Sequence, residues 1–187
     1  MSLKKRLDVG VVNLYAIDPG PVQSAYCSLN DDSPVADIVE NENLLMILGD
    51  FSPGQLIIEK VECFGMAVGA EVFETVHWGG RFHQTWVARG CMVQRIPRRA
   101  VKLHLCRTST AKDTNIRQAI IDLYGGPITA IGNKKNPGPL YGIHKDMWAA
   151  LALALTWRDG EVYQAKRERL AWDANLEAFI ALRRQST

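Results

Sequence analysis

The sequence lacks most of what would place it outside ordinary globular chemistry. No apolar run approaches the ~20 residues that a membrane helix needs; the longest, Trp148 to Trp157, has ten. The opening Met1-Ser-Leu-Lys-Lys-Arg is basic but leads into no apolar core with a small-residue cleavage site, so no secretory signal is read there. Four cysteines, at positions 27, 63, 91 and 106, show neither CxxC spacing nor a paired His–Cys pattern. That argues against a zinc site and a disulfide framework, and for reduced thiols in a cytoplasmic protein with no membrane partner. Internal repeats, low-complexity tracts and long linkers are missing too. At 187 residues, 47% hydrophobic and 22% charged, the chain has the length and composition of one soluble domain.

The most informative absence is of acids. Between Thr75 and Lys112 there is none, against eight Lys/Arg, a balance of +8. From Met1 to Glu74 the balance is reversed, four Lys/Arg against twelve Asp/Glu. The net charge of +2 conceals this segregation. A basic segment of this kind points to a polyanionic partner. The acidic half must then supply something other than phosphate affinity, and metal ligands are the obvious candidate.

Apolar patterning gives the elements. Asp8 to Ile17 reads as a buried strand ended by the Asp18-Pro19-Gly20 turn. Ser24 to Leu29 and Pro34 to Val39 read as two shorter strands joined by Asn30-Asp31-Asp32-Ser33, and Asn41 to Leu48 as a short helix. Gln55 to Val61 is a second strong strand, carrying Glu59 near its end. Glu71 to Arg89 is mainly helical, with a potential break at Gly79-Gly80. Cys91 to Ile96 is a strand stopped by Pro97, followed by a short helix over Arg98 to Leu105. Ile116, Ile120 and Leu123 fall at helical spacing within Lys112 to Tyr124, which Gly125-Gly126 ends. Pro127 to Gly142 is a loop bearing Lys134 and Lys135. Lys145 to Trp157 is a buried helix, and Glu161 to Arg184 an amphipathic one with Leu176, Phe179 and Ile180 on one face. Three antiparallel strands followed by strands alternating with helices predict one α/β domain, a mixed sheet flanked by helices, with 158–187 as a C-terminal helical extension.

Three acids stand where solubility alone does not require them: Asp18 at the end of the first core strand, Glu59 within an apolar strand, and Asp146 at the start of an almost wholly apolar helix. Each alone has an ordinary explanation, as turn residue, outward-facing strand residue or helix cap. Converging, they would repel in a low dielectric and require a cation. Oxygen-only ligands suit Mg²⁺ or Mn²⁺, and two such ions ~4 Å apart serve phosphodiester hydrolysis.

Four blocks carry a family resemblance. Ala16-Ile17-Asp18-Pro19-Gly20-Pro21 with Ser24 resembles the opening strand and turn of RuvC-type Holliday junction resolvases. Leu56-Ile57-Ile58-Glu59-Lys60-Val61 is similar to their second acidic strand. Pro97-Arg98-Arg99-Ala100-Val101-Lys102 with Thr108-Ser109-Thr110-Ala111-Lys112-Asp113 is similar to their basic segment, and Lys145-Asp146-Met147-Trp148 through Thr156 to their C-terminal acidic helix. The blocks lie in family order. The resemblance implies a ribonuclease H-like fold, two divalent metals per active site, a homodimer, and nicking of four-way or other branched DNA in recombination and repair. It assigns Asp18, Glu59 and Asp146 as catalytic metal ligands, and Lys102 and Lys112 as basic residues beside the scissile phosphate; Arg98 and Arg99 are expected to bind DNA because they lie in the basic Thr75–Lys112 segment. It also places a junction-contacting segment around Phe64, Met66, Phe73 and Trp78, for which core packing or a dimer interface serves equally.

The chain departs from the family at one position. A second ligand usually follows one helical turn after the place of Asp146, and here that residue is Ala149. His144, Glu62, Asp113 or a water are the candidates to replace it. Two rival readings keep the same acids or the same surface: a ribonuclease H-like nuclease acting on other branched DNA or RNA–DNA hybrids, and a junction-binding protein without catalysis. A sugar kinase or chaperone ATPase, which shares the Asp-x-Gly opening, needs two such domains and roughly twice this length.

Overall fold

Segments of five to eight residues, too short for helices and punctuated by Pro and Gly, assemble here into a five-stranded sheet of order β3-β2-β1-β4-β5. The structure is a computed structural model that describes residues 13–30, 33–63 and 65–160. Strands β1 (Asn13–Asp18), β2 (Gln23–Asn30) and β3 (Ser33–Glu40) form an antiparallel meander, while β4 (Gly54–Lys60) and β5 (Val93–Pro97) add in parallel beyond β1. The sheet is therefore mixed, as the sequence predicts. Residues 8–12 of the expected first strand, and Asp31-Asp32, lie outside the described residues.

Side chains alternate across a strand, and both faces of β1 and β4 are apolar. One face presents Tyr15, Ile17, Leu56 and Ile58 to Leu44 and Leu48 of α1 (Asn41–Asp50) and to Phe82 and Trp86 of α2 (Ala70–Val87). The opposite face carries Leu14, Ala16, Ala25, Cys27, Leu29 and Ile57, all buried. Burial on both faces marks β1 and β4 as central strands. Further helices are α3 (Arg98–Cys106), α4 (Asp113–Leu123), a single turn, α5 (Pro127–Ala130), and a helix that begins at residue 147.

Helix α2 is continuous through Gly79-Gly80. Gly79 is buried where α2 crosses β1 and β4, and a Cβ there would meet Pro19 at 3.7 Å and Ile58 at 3.9 Å. Contact with the sheet outweighs the ~1 kcal/mol that each glycine costs a helix. The Pro127–Gly142 segment, expected as plain loop, contains α5 and an antiparallel bridge between Gly132 and Pro137.

The described residues through Ala154 form one compact unit and Leu155–Thr187 a second. Residues 147–154 close the first as a buried helix; residues 155–160, the described part of the second, are also helical. The amphipathic helix expected over Glu161–Arg184 lies outside the described residues. No described helix is long and apolar enough to cross a membrane.

Candidate active site

Asp18 and Glu59 are placed by strand register. Ile17 pairs with Ile58 across the parallel β1–β4 ladder, so the next residues, Asp18 and Glu59, stand side by side at the carboxyl ends of the two central strands. By alternation they point away from α1 and α2, to the face that carries Ala16 and Ile57. Carboxyl ends of parallel strands are where open α/β sheets leave a crevice for ligands.

The turn after Asp18 is clamped by two of the few buried polar residues. Ser24 and Asn41 are each 1% exposed. The Ser24 hydroxyl accepts a hydrogen bond from the Gly20 amide at 3.2 Å and donates to Asn41 Oδ1 at 2.6 Å, while Asn41 Nδ2 donates to the Gly20 carbonyl at 3.0 Å. Both backbone groups of Gly20 are thus satisfied internally. A Cβ at Gly20 would lie 2.3 Å from the Gln23 carbonyl oxygen, so this turn requires glycine. Sequence reading picks out Ser24 but misses Asn41; an Asn opening a helix in the wake of a strand is its only signal.

Asp146 enters from the other end of the chain. Its carbonyl accepts hydrogen bonds from the amides of Ala149 and Ala150, so it caps the helix of residues 147–154. Lys145 before it has φ of +46°, a left-handed conformation that non-glycine residues adopt rarely and mostly at constrained sites. The Arg117 guanidinium of α4 lies 5.0 Å from the centroid of the Trp148 ring, joining α4 to the helix that Asp146 starts.

A fourth acid joins them. Ile96 pairs with Glu59, so Arg98, two residues on, reaches back to that carboxylate. Its Nη1 lies 3.1 Å from Glu59 Oε2 and its Nη2 2.8 Å from Asp113 Oδ1 at the start of α4. Among the proposed replacements for the missing helix ligand, Asp113 alone is tied in this way: Glu62 pairs with Lys60 at 3.0 Å, and His144 Nδ1 bonds the Gly142 carbonyl at 2.9 Å. Ala149 is buried.

The charges are mutually coupled. Asp18 is pushed up to about 7, first by burial and next by the Glu59 carboxylate, with Asp146 and Asp113 adding to the rise and Arg98 opposing it. Glu59 is also raised by burial, against the pull of Arg98 and, more weakly, Lys102. These acids do not yet form a coordination cage. Among the described residues no three Asp, Glu, His or Cys side chains stand close enough to hold a metal ion together. The donor set nevertheless fits a hard divalent cation: oxygen only, half of it poorly solvated, and short of positive charge.

The basic segment folds beside this cluster. A cleft next to Glu59 is lined by Lys60, Val61, Glu62, Arg98 and Arg99. Arg99 and Lys112 are exposed, and Lys102 is half-buried on α3 within electrostatic reach of Glu59. Arg98 differs from these, being engaged by two carboxylates of its own chain. Of the aromatic and apolar residues after the second acidic strand, Met66 and Phe73 are exposed, whereas Trp78 packs under Arg81 and against Phe82. Phe64 lies outside the described residues.

No protein-family model matches the sequence, and no curated protein matches it significantly. Solved structures do. Thermus thermophilus RuvC aligns over 76% of this chain and 91% of its own, with a TM-score of 0.54 at 17% identity. The same bacterium's RuvC in complex with a Holliday junction substrate aligns over 78% and 92%, with a TM-score of 0.55 at 18% identity. The resemblance read from four sequence blocks is thus matched by the fold: this chain has the ribonuclease H-like architecture of RuvC.

Proposed function

We propose that the protein is a structure-selective endonuclease that nicks four-way DNA junctions with the help of Mg²⁺ or Mn²⁺ and so resolves them. The observation that carries this reading is the pairing of Asp18 and Glu59 at the carboxyl ends of β1 and β4, with Asp146 within electrostatic reach of Asp18, next to a segment without a single acid between Thr75 and Lys112. A fold shared with a RuvC solved on a Holliday junction supports the choice of substrate.

Asp18, Glu59 and Asp146 would hold the metal. The chemistry a divalent pair would supply there is activation of water and stabilisation of the leaving oxygen of a phosphodiester. The rest is done by the chain. Strands β1 and β4 fix two carboxylates before any ligand arrives, with the Ser24–Asn41 clamp preventing Asp18 from drifting with its turn. Arg99, Lys102 and Lys112 bind the phosphate backbone, a contact that gives affinity without sequence choice. Lys102, within electrostatic reach of Glu59, and Lys112, next to Asp113 in the chain, would stand beside the scissile phosphate. A homodimer completes the reading, because two cuts related by the junction's two-fold symmetry need two sites; α2 leaves Phe73 and Val76 exposed as candidates for its interface.

Ala149 favours a second reading, a junction-binding protein that does not cut. Cleavage of a synthetic four-way junction, compared with duplex DNA and an RNA–DNA hybrid, separates them. Mg²⁺-dependent nicking of the junction above both others is the expected result. Binding without nicking at any Mg²⁺ or Mn²⁺ concentration would establish the second reading, and preference for the hybrid would make the protein a ribonuclease. Light scattering should give twice the 20.8 kDa chain mass.

A further inference from the structure

We propose that Arg98 is a positioning residue of the acidic site: anchored by Asp113, its guanidinium serves as the resident counterion of Glu59, and a divalent cation must compete with it for that carboxylate. The inference deepens the metal-dependent reading above and rests on it.

Three observations carry it. Arg98 is ion-paired with two of the acids, with separate nitrogens 3.1 Å from Glu59 and 2.8 Å from Asp113. A planar guanidinium with fixed donors can hold two carboxylates at once, which the single ammonium of a lysine does poorly. Asp113 is exposed, with 74% of its side chain accessible, while the Glu59 side chain is 17% accessible. An exposed anchor beside a poorly solvated acid gives the guanidinium a place to remain when Glu59 is taken by another cation. Finally, among the described residues no three potential ligands stand together, although the acids are close enough to repel one another. Arg98 neutralises what would otherwise be an uncompensated cluster, and it occupies Glu59 while doing so.

The consequence is a threshold for metal loading. With Arg98 in place the metal-free site is held in shape and binds the cation weakly; without it the site loses a competing positive charge. Mn²⁺ binding to the full chain, read by electron paramagnetic resonance without DNA, tests this. Arg98→Gln should bind Mn²⁺ at least about tenfold more tightly than wild type, since a unit charge at hydrogen-bonding range is removed from a partly desolvated site. Arg98→Lys should fall between the two and decides the matter if the glutamine variant does not fold. Asp113→Asn should change Mn²⁺ affinity in the wild-type background and leave it unchanged once Arg98 is Gln, because Asp113 acts through Arg98. In EDTA, the salt dependence of junction binding should be the same for Arg98→Gln as for wild type, whereas Arg99→Gln should lose about one unit of slope.

Unchanged or weaker Mn²⁺ binding in both Arg98 variants overturns the proposal. So does a slope loss for Arg98→Gln equal to that of Arg99→Gln, which would make Arg98 a phosphate contact. Asp18→Asn separates this failure from a failure of the metal reading. If it abolishes Mn²⁺ binding while the Arg98 variants show no gain, only the role of Arg98 is wrong. If Mn²⁺ binds as well without the Asp18 carboxylate, the acidic cluster is not the metal site and both readings fall.

Discussion

The acids of the site come in two kinds. Asp18 and Glu59 end central strands, are partly buried, and have their ionised forms disfavoured by that burial. Asp146 and Asp113 start helices and are exposed. The strand pair is fixed by a ladder whose register cannot slip without turning every core side chain outward. The helix pair is fixed only by where two helices begin. The difference teaches how the cluster is built: one half is set by strand register in a poorly solvated place, where ionised carboxylates are disfavoured, and the other stands in water at helix starts.

The comparison is tested hardest by activity. Asp18→Asn, Glu59→Gln and Asp146→Asn should each lower single-turnover nicking by about a thousandfold or more, because each removes a charge that stabilises the transition state and leaves the shape intact. Junction affinity in EDTA should hardly move. A variant that cuts at near wild-type rate removes its residue from the assignment.

Stability should separate what activity does not. The carboxyl of Asp18 titrates at about 7 in the folded chain against an ordinary value of 3.8. Between those values the folded state binds more protons than the unfolded, so metal-free stability falls as pH rises from about 4 to about 7 and is flat beyond both. At pH 8 the Asp18→Asn protein should therefore be more stable than wild type in EDTA, by about 1–4 kcal/mol. Asp146→Asn, at an exposed site, should stay within about 0.5 kcal/mol. Urea unfolding at pH 4.5 and pH 8 reads both; equal effects would show that the buried and exposed acids do not differ energetically. Saturating Mg²⁺ should reverse the order at pH 8, since wild type then gains binding free energy that the variant lacks.

A smaller effect is expected across the basic surface. Arg99→Ala and Lys102→Ala should each weaken binding to junctions of any sequence and flatten the plot of log affinity against log salt by about one unit. An unchanged slope would make α3 a solvated face. The smallest effect belongs to the supporting layer. A Cβ at Gly80 meets nothing within 4 Å, so Gly80→Ala should stabilise α2 by about 0.5–1 kcal/mol without changing nicking, as thermal melting and cleavage assays would show. A loss of nicking would mean that this face of α2 is needed open, as a dimer interface would require.

Much of this was legible beforehand because it is local. Strands β1 and β4 are continuous apolar runs, the Asp-Pro-Gly turn punctuates the first, and Ile116, Ile120 and Leu123 keep helical period on α4. Where local rules competed with packing, packing won: Gly79-Gly80 should interrupt a helix, yet α2 runs through it because Gly79 rests on Pro19 and Ile58. The acids Asp18, Glu59 and Asp146 stood out for a related reason, each interrupting an apolar pattern that would be better buried without it.

Asn41, Arg98 and Asp113 stood out for no such reason. Asn41 looks like any polar residue at a helix start, Arg98 like one more cation in a basic segment, and Asp113 like one of several candidates for the missing helix ligand. Their roles depend on distances across 21, 39 and 15 residues of chain. By itself the sequence determined the mixed sheet, the charge segregation and the three acids, since these follow from periodicity and composition along the chain. Only the tertiary structure decided that the Asp18 turn is clamped by Asn41 and that Arg98 bridges Glu59 and Asp113. Each of these is a pairing of charges or hydrogen bonds, and the strength of such a pairing is set by distance and solvation in three dimensions, neither of which the order of residues records.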